Sequence, residues 1–213
     1  MSLTALGVTA ITDFVLAGEA LFLAGLLVAR PKQRWSAVWY WQGVLLMLAL
    51  GAFIGGVDHG FFQIAGETHV RKMVQHTTWV VLGVLTAATV MTVVAQFLDA
   101  KWRRIGAIAA TIQFALFVIA IPIVDSFAIV IVNYVPVMLW SLVCNIRGLR
   151  DGTGTWPMIL SIVVALAAST AQALGLRLSD AIDRNGVYHL GMMIAVWLSF
   201  LGGLRLKGQG ASA

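Results

Sequence analysis

Six ionisable side chains fall inside long apolar runs of this sequence: Asp13, Glu19, Asp58, His59, His76 and His189. A charge in hydrocarbon costs several kcal/mol, so such groups turn toward a bundle interior or a wet cavity. The histidines suggest metal chemistry first. Imidazole nitrogen is a ligand for zinc, and a catalytic zinc takes three protein ligands and a water. That water ionises near neutral pH and becomes a nucleophile. His59, His76 and His189 are separated by 16 and 112 residues, so no local zinc motif joins them. What they share is depth. Each lies about six residues, or roughly 9 Å, inside the same boundary of its apolar run. Metal binding by all three competes with the plainer reading, in which each histidine hydrogen-bonds across the bundle.

The carboxylates offer proton handling. Asp58 points about 100° away from its neighbour His59 on a helix. It is placed to orient a histidine, to act as acid or base, or to pair with Arg71, Lys72 or Arg184. Asp13 is the second candidate for moving protons. Glu19 stands six positions beyond it, rotated by roughly 120°, so the two do not form a carboxylate pair. Near mid-bilayer, Glu19 is expected in its neutral form. Gln113, Asn133, Gln172, Asn185 and Tyr188 extend the polar pocket. His69 is expected in a solvated loop.

The elements that must hold these residues follow from composition. Of 213 residues, 60% are hydrophobic and 11% are charged, against about 25% charged in a soluble domain. That excludes a water-soluble enzyme, a disordered tail and, with Cys144 as the one cysteine, a disulfide scaffold. A membrane helix needs about 20 apolar residues. Seven segments qualify: Thr4–Ala29, Val38–Ile64, Val70–Phe97, Arg104–Pro122, Ser126–Cys144, Trp156–Leu176 and Asp183–Leu204. The expected fold is all-α, a single polytopic seven-helix transmembrane domain over 1–213. Met1–Ala10 has no basic leader region, so the first run reads as a mature helix. Glycines 51, 55, 56 and 60 stripe helix 2 and suggest close packing. Pro122 and Pro136 are placed to end or kink their helices.

Basic residues orient the bundle. Ten of the 14 Lys and Arg lie in alternate loops and the tail, including Arg30, Arg103, Arg147 and Arg205. The other side has Arg71, Lys72, Arg177 and Arg184. The positive-inside rule then puts the N-terminus outside and the C-terminus in the cytoplasm. The net charge of +5 is accounted for by these loops and does not call for nucleic acid. Trp35, Trp39, Trp41, Trp102 and Trp156 beside them read as an inner aromatic belt.

Two short motifs carry a resemblance. Gly55-Gly56-Val57-Asp58-His59-Gly60-Phe61 and Asn185-Gly186-Val187-Tyr188-His189 resemble the heptahelical CREST superfamily of alkaline ceramidases, adiponectin receptors and haemolysin III-like proteins. The resemblance implies a zinc-dependent lipid amidohydrolase. His59 matches the family's helix-2 histidine and His189 the second of its helix-7 pair. Departures are also present: Asn185 stands for the first helix-7 histidine, Gly55 for a serine and His76 for an acidic helix-3 residue. A zinc shell here would need His76 as a compensating ligand.

Two functions follow as expectations. One is a zinc-dependent intramembrane hydrolase of a lipid amide or ester, with Asp58 or Asp13 handling protons and a membrane lipid entering between helices. The other is a non-enzymatic sensor, ligand-binding protein or small transporter built on the polar layer. A structural subunit, with the polar residues as helix glue, is the plainest case. Helix 7 has no buried lysine, which argues against a retinal protein. The short loops suggest a bacterial inner membrane.

Overall fold

The computed structural model describes residues 5–30 and 32–208. The expected helix start at Thr4 and the turn residue Pro31 lie outside the described residues. Among the described residues, seven helices are long and apolar enough to cross a membrane. They are α1 Ala5–Val28, α2 Ala37–Val57, α3 His69–Phe97, α4 Ala100–Val124, α5 Ala128–Gly148, α6 Trp156–Ala173 and α7 Arg184–Gly203.

Caps set several of the starts. Ser36, Thr68 and Thr155 each accept the backbone N–H three residues on, and Asp183 accepts those of Asn185 and Gly186. These bonds satisfy donors that have no partner within the first turn. His69 is therefore not in a loop: capped by Thr68, it opens α3, with its side chain exposed. α4 begins at Ala100, earlier than its apolar run, because Lys101, Arg103 and Arg104 are good helix formers at an exposed helix end. It runs through Pro122 and stops at Asp125, whose left-handed backbone (φ 43°) aspartate tolerates better than most residues.

Helix 2 does not end as a regular helix. After Val57 the chain widens into a π-turn, Asp58–Phe62, then tightens into a 3₁₀ turn, Gln63–Ala65, closed by Gly66 at φ 79°. The N–H of Gln63 bonds the carbonyl of Asp58, one residue farther than in an α-helix. Such wide turns are frequent at functional sites. This one leaves Asp58 buried and sets His59 against α1.

α1 lies between α2 and α7. The main core runs along it through Leu16, Ala20, Leu23, Ala24 and Leu27, all at 2% exposure or less. Small alanines alternating with leucines let helices approach closely, the usual way membrane helices gain packing. Contacts then follow the chain: α2 packs on α3, α3 on α4 and α5, and α6 on α7. α7 closes mainly on α1 and α6, and meets α2 only slightly.

Candidate functional site

α1 brings Thr9, Thr12 and Asp13 to one face, since positions three and four apart are neighbours on a helix. Asp13 is 4% exposed. Its Oδ2 lies 2.7 Å from His59 Nδ1, and its Oδ1 lies 3.1 Å from His189 Nε2. One carboxylate thus bridges imidazoles from two other helices. The backbone of Gly55 packs beside this carboxylate, and a Cβ there would meet Oδ1 at an ordinary contact distance of 3.5 Å. His189 is buried, whereas the His59 side chain keeps 21% of its surface exposed. His59 is therefore the wetter end of the cluster.

Thr12 adds a choice. Its Oγ1 lies 2.8 Å from the Thr9 carbonyl and 2.9 Å from His189 Nδ1. One hydroxyl has one proton. Turned to His189, the hydroxyl donates to a bare Nδ1, and His189 is the neutral tautomer with its Nε2–H toward Asp13. Turned to Thr9, its oxygen accepts from a protonated Nδ1. The charge on His189 and the orientation of Thr12 are thereby coupled. Thr9 Oγ1 in turn donates to Asp183 Oδ1, 3.0 Å away, and the same oxygen caps α7. The seam between α1 and α7 is made of these linked polar contacts.

The other expected site residues are elsewhere. His76 does not join His59 and His189. It contacts Asp125 through Nε2 at 2.9 Å, and Lys72 contacts the other carboxylate oxygen at 2.6 Å. Asp58 pairs with Arg71 Nε at 3.2 Å, and Arg71 also pairs with Glu67. Of the three roles open to Asp58 in the sequence, the geometry gives it the ion pair. Asn185 accepts from Gln172 Nε2 at 3.0 Å, which joins α7 to α6. Asn133 accepts from Gln113 at 3.1 Å, joining α5 to α4. The Tyr188 ring stands edge-on to that of His189, with centroids 5.5 Å apart. Glu19 has one buried carboxyl oxygen with no hydrogen-bond partner.

Sequence reasoning missed Thr9, Thr12 and Asp183. Thr9, Thr12 and Asp13 at helical spacing, and an aspartate just before a helix, were the available signals.

One family pattern aligns with residues 8–208, from the first turns of α1 to the basic residues beyond α7. The chain belongs to the DUF6962 family, a family of unknown function. No curated protein and no solved structure matches it. The DUF6962 segment takes in Asp13, His59 and His189 together.

The DUF6962 chain does not present the expected zinc shell. Among the described residues, no three His, Cys, Asp or Glu side chains form a group that could hold a metal ion. His76 is spent on Asp125. Asp13 gives a separate oxygen to each remaining imidazole, whose ring centroids are 6.3 Å apart.

The Lys72–Asp125–His76 contact yields a pH prediction. Hydrogen bonds from Lys72 and then His76 hold the Asp125 carboxyl below its usual range. A depressed carboxyl stabilises the fold above its unfolded pKa, and that contribution is lost as pH falls through the folded value. Thermal unfolding of detergent-solubilised protein should therefore lose stability on the acid side. Asp125→Asn should flatten that acid limb and leave the profile above pH 6 unchanged in shape.

Proposed function

We propose that this DUF6962 protein is a non-enzymatic, pH-responsive heptahelical membrane protein. Its Asp13–His59–His189 cluster takes up a proton from the outer side and alters the packing of α1 against α2 and α7. The observation that carries this reading is the buried carboxylate held between two imidazoles. With both rings neutral, the cluster carries one negative charge. One added proton makes it net neutral, and a low-dielectric interior penalises net charge. Histidine changes charge between about pH 5 and 8. The exposed edge of His59 offers the route in, and the Thr12 hydroxyl offers a device that responds. The N-terminus is read as outside and the setting as a bacterial plasma membrane, on the bias of basic residues and the short loops.

The competing reading is the zinc-dependent hydrolase of a lipid amide or ester implied by the CREST resemblance. Its support is residue type alone: histidine and aspartate are ligands a catalytic zinc accepts, although these three do not group as a metal site among the described residues.

One set of measurements separates the two. Protein purified without chelator is assayed for metal, and proton uptake is titrated between pH 8 and pH 5 for wild type, Asp13→Asn and His59→Gln. The expected result is no stoichiometric metal, uptake in that window by the wild type, and altered uptake in both variants. Stoichiometric zinc, hydrolysis of a ceramide or ester panel, or unchanged uptake in Asp13→Asn would overturn the proposal.

A further inference from the structure

A second feature lies away from the histidines, between α3, α4 and α5. A cavity of about 700 Å³ opens there, lined by Val94, Trp102, Ala109, Phe117, Pro136 and Trp140 among others. α4 meets α3 closely at two glycines. A Cβ on Gly83 would stand 2.6 Å from the Phe117 ring, and one on Gly106 would stand 2.7 Å from Val94. α5 touches α4 only sparingly. The gap between them is apolar, apart from the Gln113–Asn133 pair, whose amides bond one another. Gln113 lies eleven residues beyond Trp102, about 16 Å along α4. That is the scale of a lipid acyl chain.

Basic residues follow next to the Trp102 end of the groove along both helices. Lys101 and Arg103 flank Trp102 in the first turn of α4, and all three are exposed. Arg147 stands seven residues beyond Trp140, which returns it to the face of α5 that lines the groove. It is exposed as well. Lys101 reaches Asp99 only at 4.0 Å, and no carboxylate pairs with Arg103 or Arg147 among the described residues. An apolar slot lined by two tryptophans, with three basic residues in the adjoining turns of α4 and α5, matches one chemical class. Basic pockets between transmembrane helices at the positive face bind anionic headgroups.

We propose that this groove is a binding site for an anionic phospholipid. One acyl chain lies between α4 and α5, and the phosphate rests among Lys101, Arg103 and Arg147. The site is independent of the proton cluster.

Native mass spectrometry of the detergent-purified protein tests it, with phosphatidylglycerol and phosphatidylcholine of identical chains as probes. The wild type should retain phosphatidylglycerol in preference, with each basic side chain contributing on the order of fivefold. Lys101→Gln/Arg103→Gln/Arg147→Gln should remove the preference. Ala109→Phe should reduce retention of both lipids by filling the slot. Arg30→Gln/Arg34→Gln, at a different loop, should leave the preference intact and shows that net charge alone is not read. Thermal unfolding confirms that each variant is folded; if Ala109→Phe is not, Ala109→Leu takes its place. Unchanged retention in the filled variant, a preference that survives the triple variant, or a two-chain species without lipid would overturn the proposal.

Discussion

Asp13→Ala should be among the most damaging single substitutions in the protein. It leaves His59 and His189 facing a space that no longer holds the carboxylate between them. Removing one member of a buried charged contact costs about 3 kcal/mol, mostly through the groups left unpaired. Asp13→Asn keeps the volume and one carbonyl acceptor, so its loss should be smaller, about 1 kcal/mol. The two variants also differ from His189→Gln. An amide there can still bond Asp13 or Thr12, but it carries no titratable group. Thermal unfolding in detergent at fixed pH should rank stability as wild type, then Asp13→Asn, then Asp13→Ala. If Asp13→Ala unfolds within a degree of wild type, the bridge does not hold α1 to α2 and α7. Repeating the scan at pH 5 and pH 8 adds the functional readout. The difference between the two temperatures should shrink in Asp13→Asn, because the proton that couples the helices has lost its acceptor.

The second large effect is expected at Arg71. Its guanidinium pairs with Asp58, and both side chains are largely buried, at 12% and 8% exposure. Arg71→Met strands the Asp58 carboxylate at the π-turn, with an expected cost of about 3 kcal/mol. Adding Asp58→Asn removes the stranded charge, so the double variant should recover much of the loss. A double-mutant cycle measures this coupling directly. Strongly favourable coupling marks Asp58 as an anchor that fixes the π-turn to α3. Additive losses would return it to the pool of candidate proton carriers. His59 is the next residue along the turn, so a shifted π-turn in Arg71→Met should also disturb proton uptake at the cluster.

The ion pairs of Asp58 and Asp125 explain why two of the expected site residues stand apart from the Asp13–His59–His189 cluster. In the sequence, Asp58 and His76 are ionisable groups in apolar runs like any other, and His76 shares the depth of His59 and His189. In the fold, Asp58 takes Arg71 from the next helix, and His76 takes Asp125 from the corner between α4 and α5. Depth along a helix is a one-dimensional property. Whether two groups at one depth meet depends on rotation about each helix axis and on which helices are neighbours.

The sequence by itself determined the seven apolar helices and the short list of residues expensive enough to matter. That follows because a bilayer sets helix length and penalises charge locally, residue by residue. It also contained the shared depth of His59 and His189, which do come together. Only the tertiary structure decided that α1 stands between α2 and α7, and so made Asp13 the bridge. Only the fold revealed the π-turn after Val57, since one extra backbone residue per turn leaves no periodic trace in so short a stretch. The roles of Thr9, Thr12 and Asp183 were also settled by contact. Their side chains are common caps and helix residues, and become a linked seam only where α1 and α7 are pressed together.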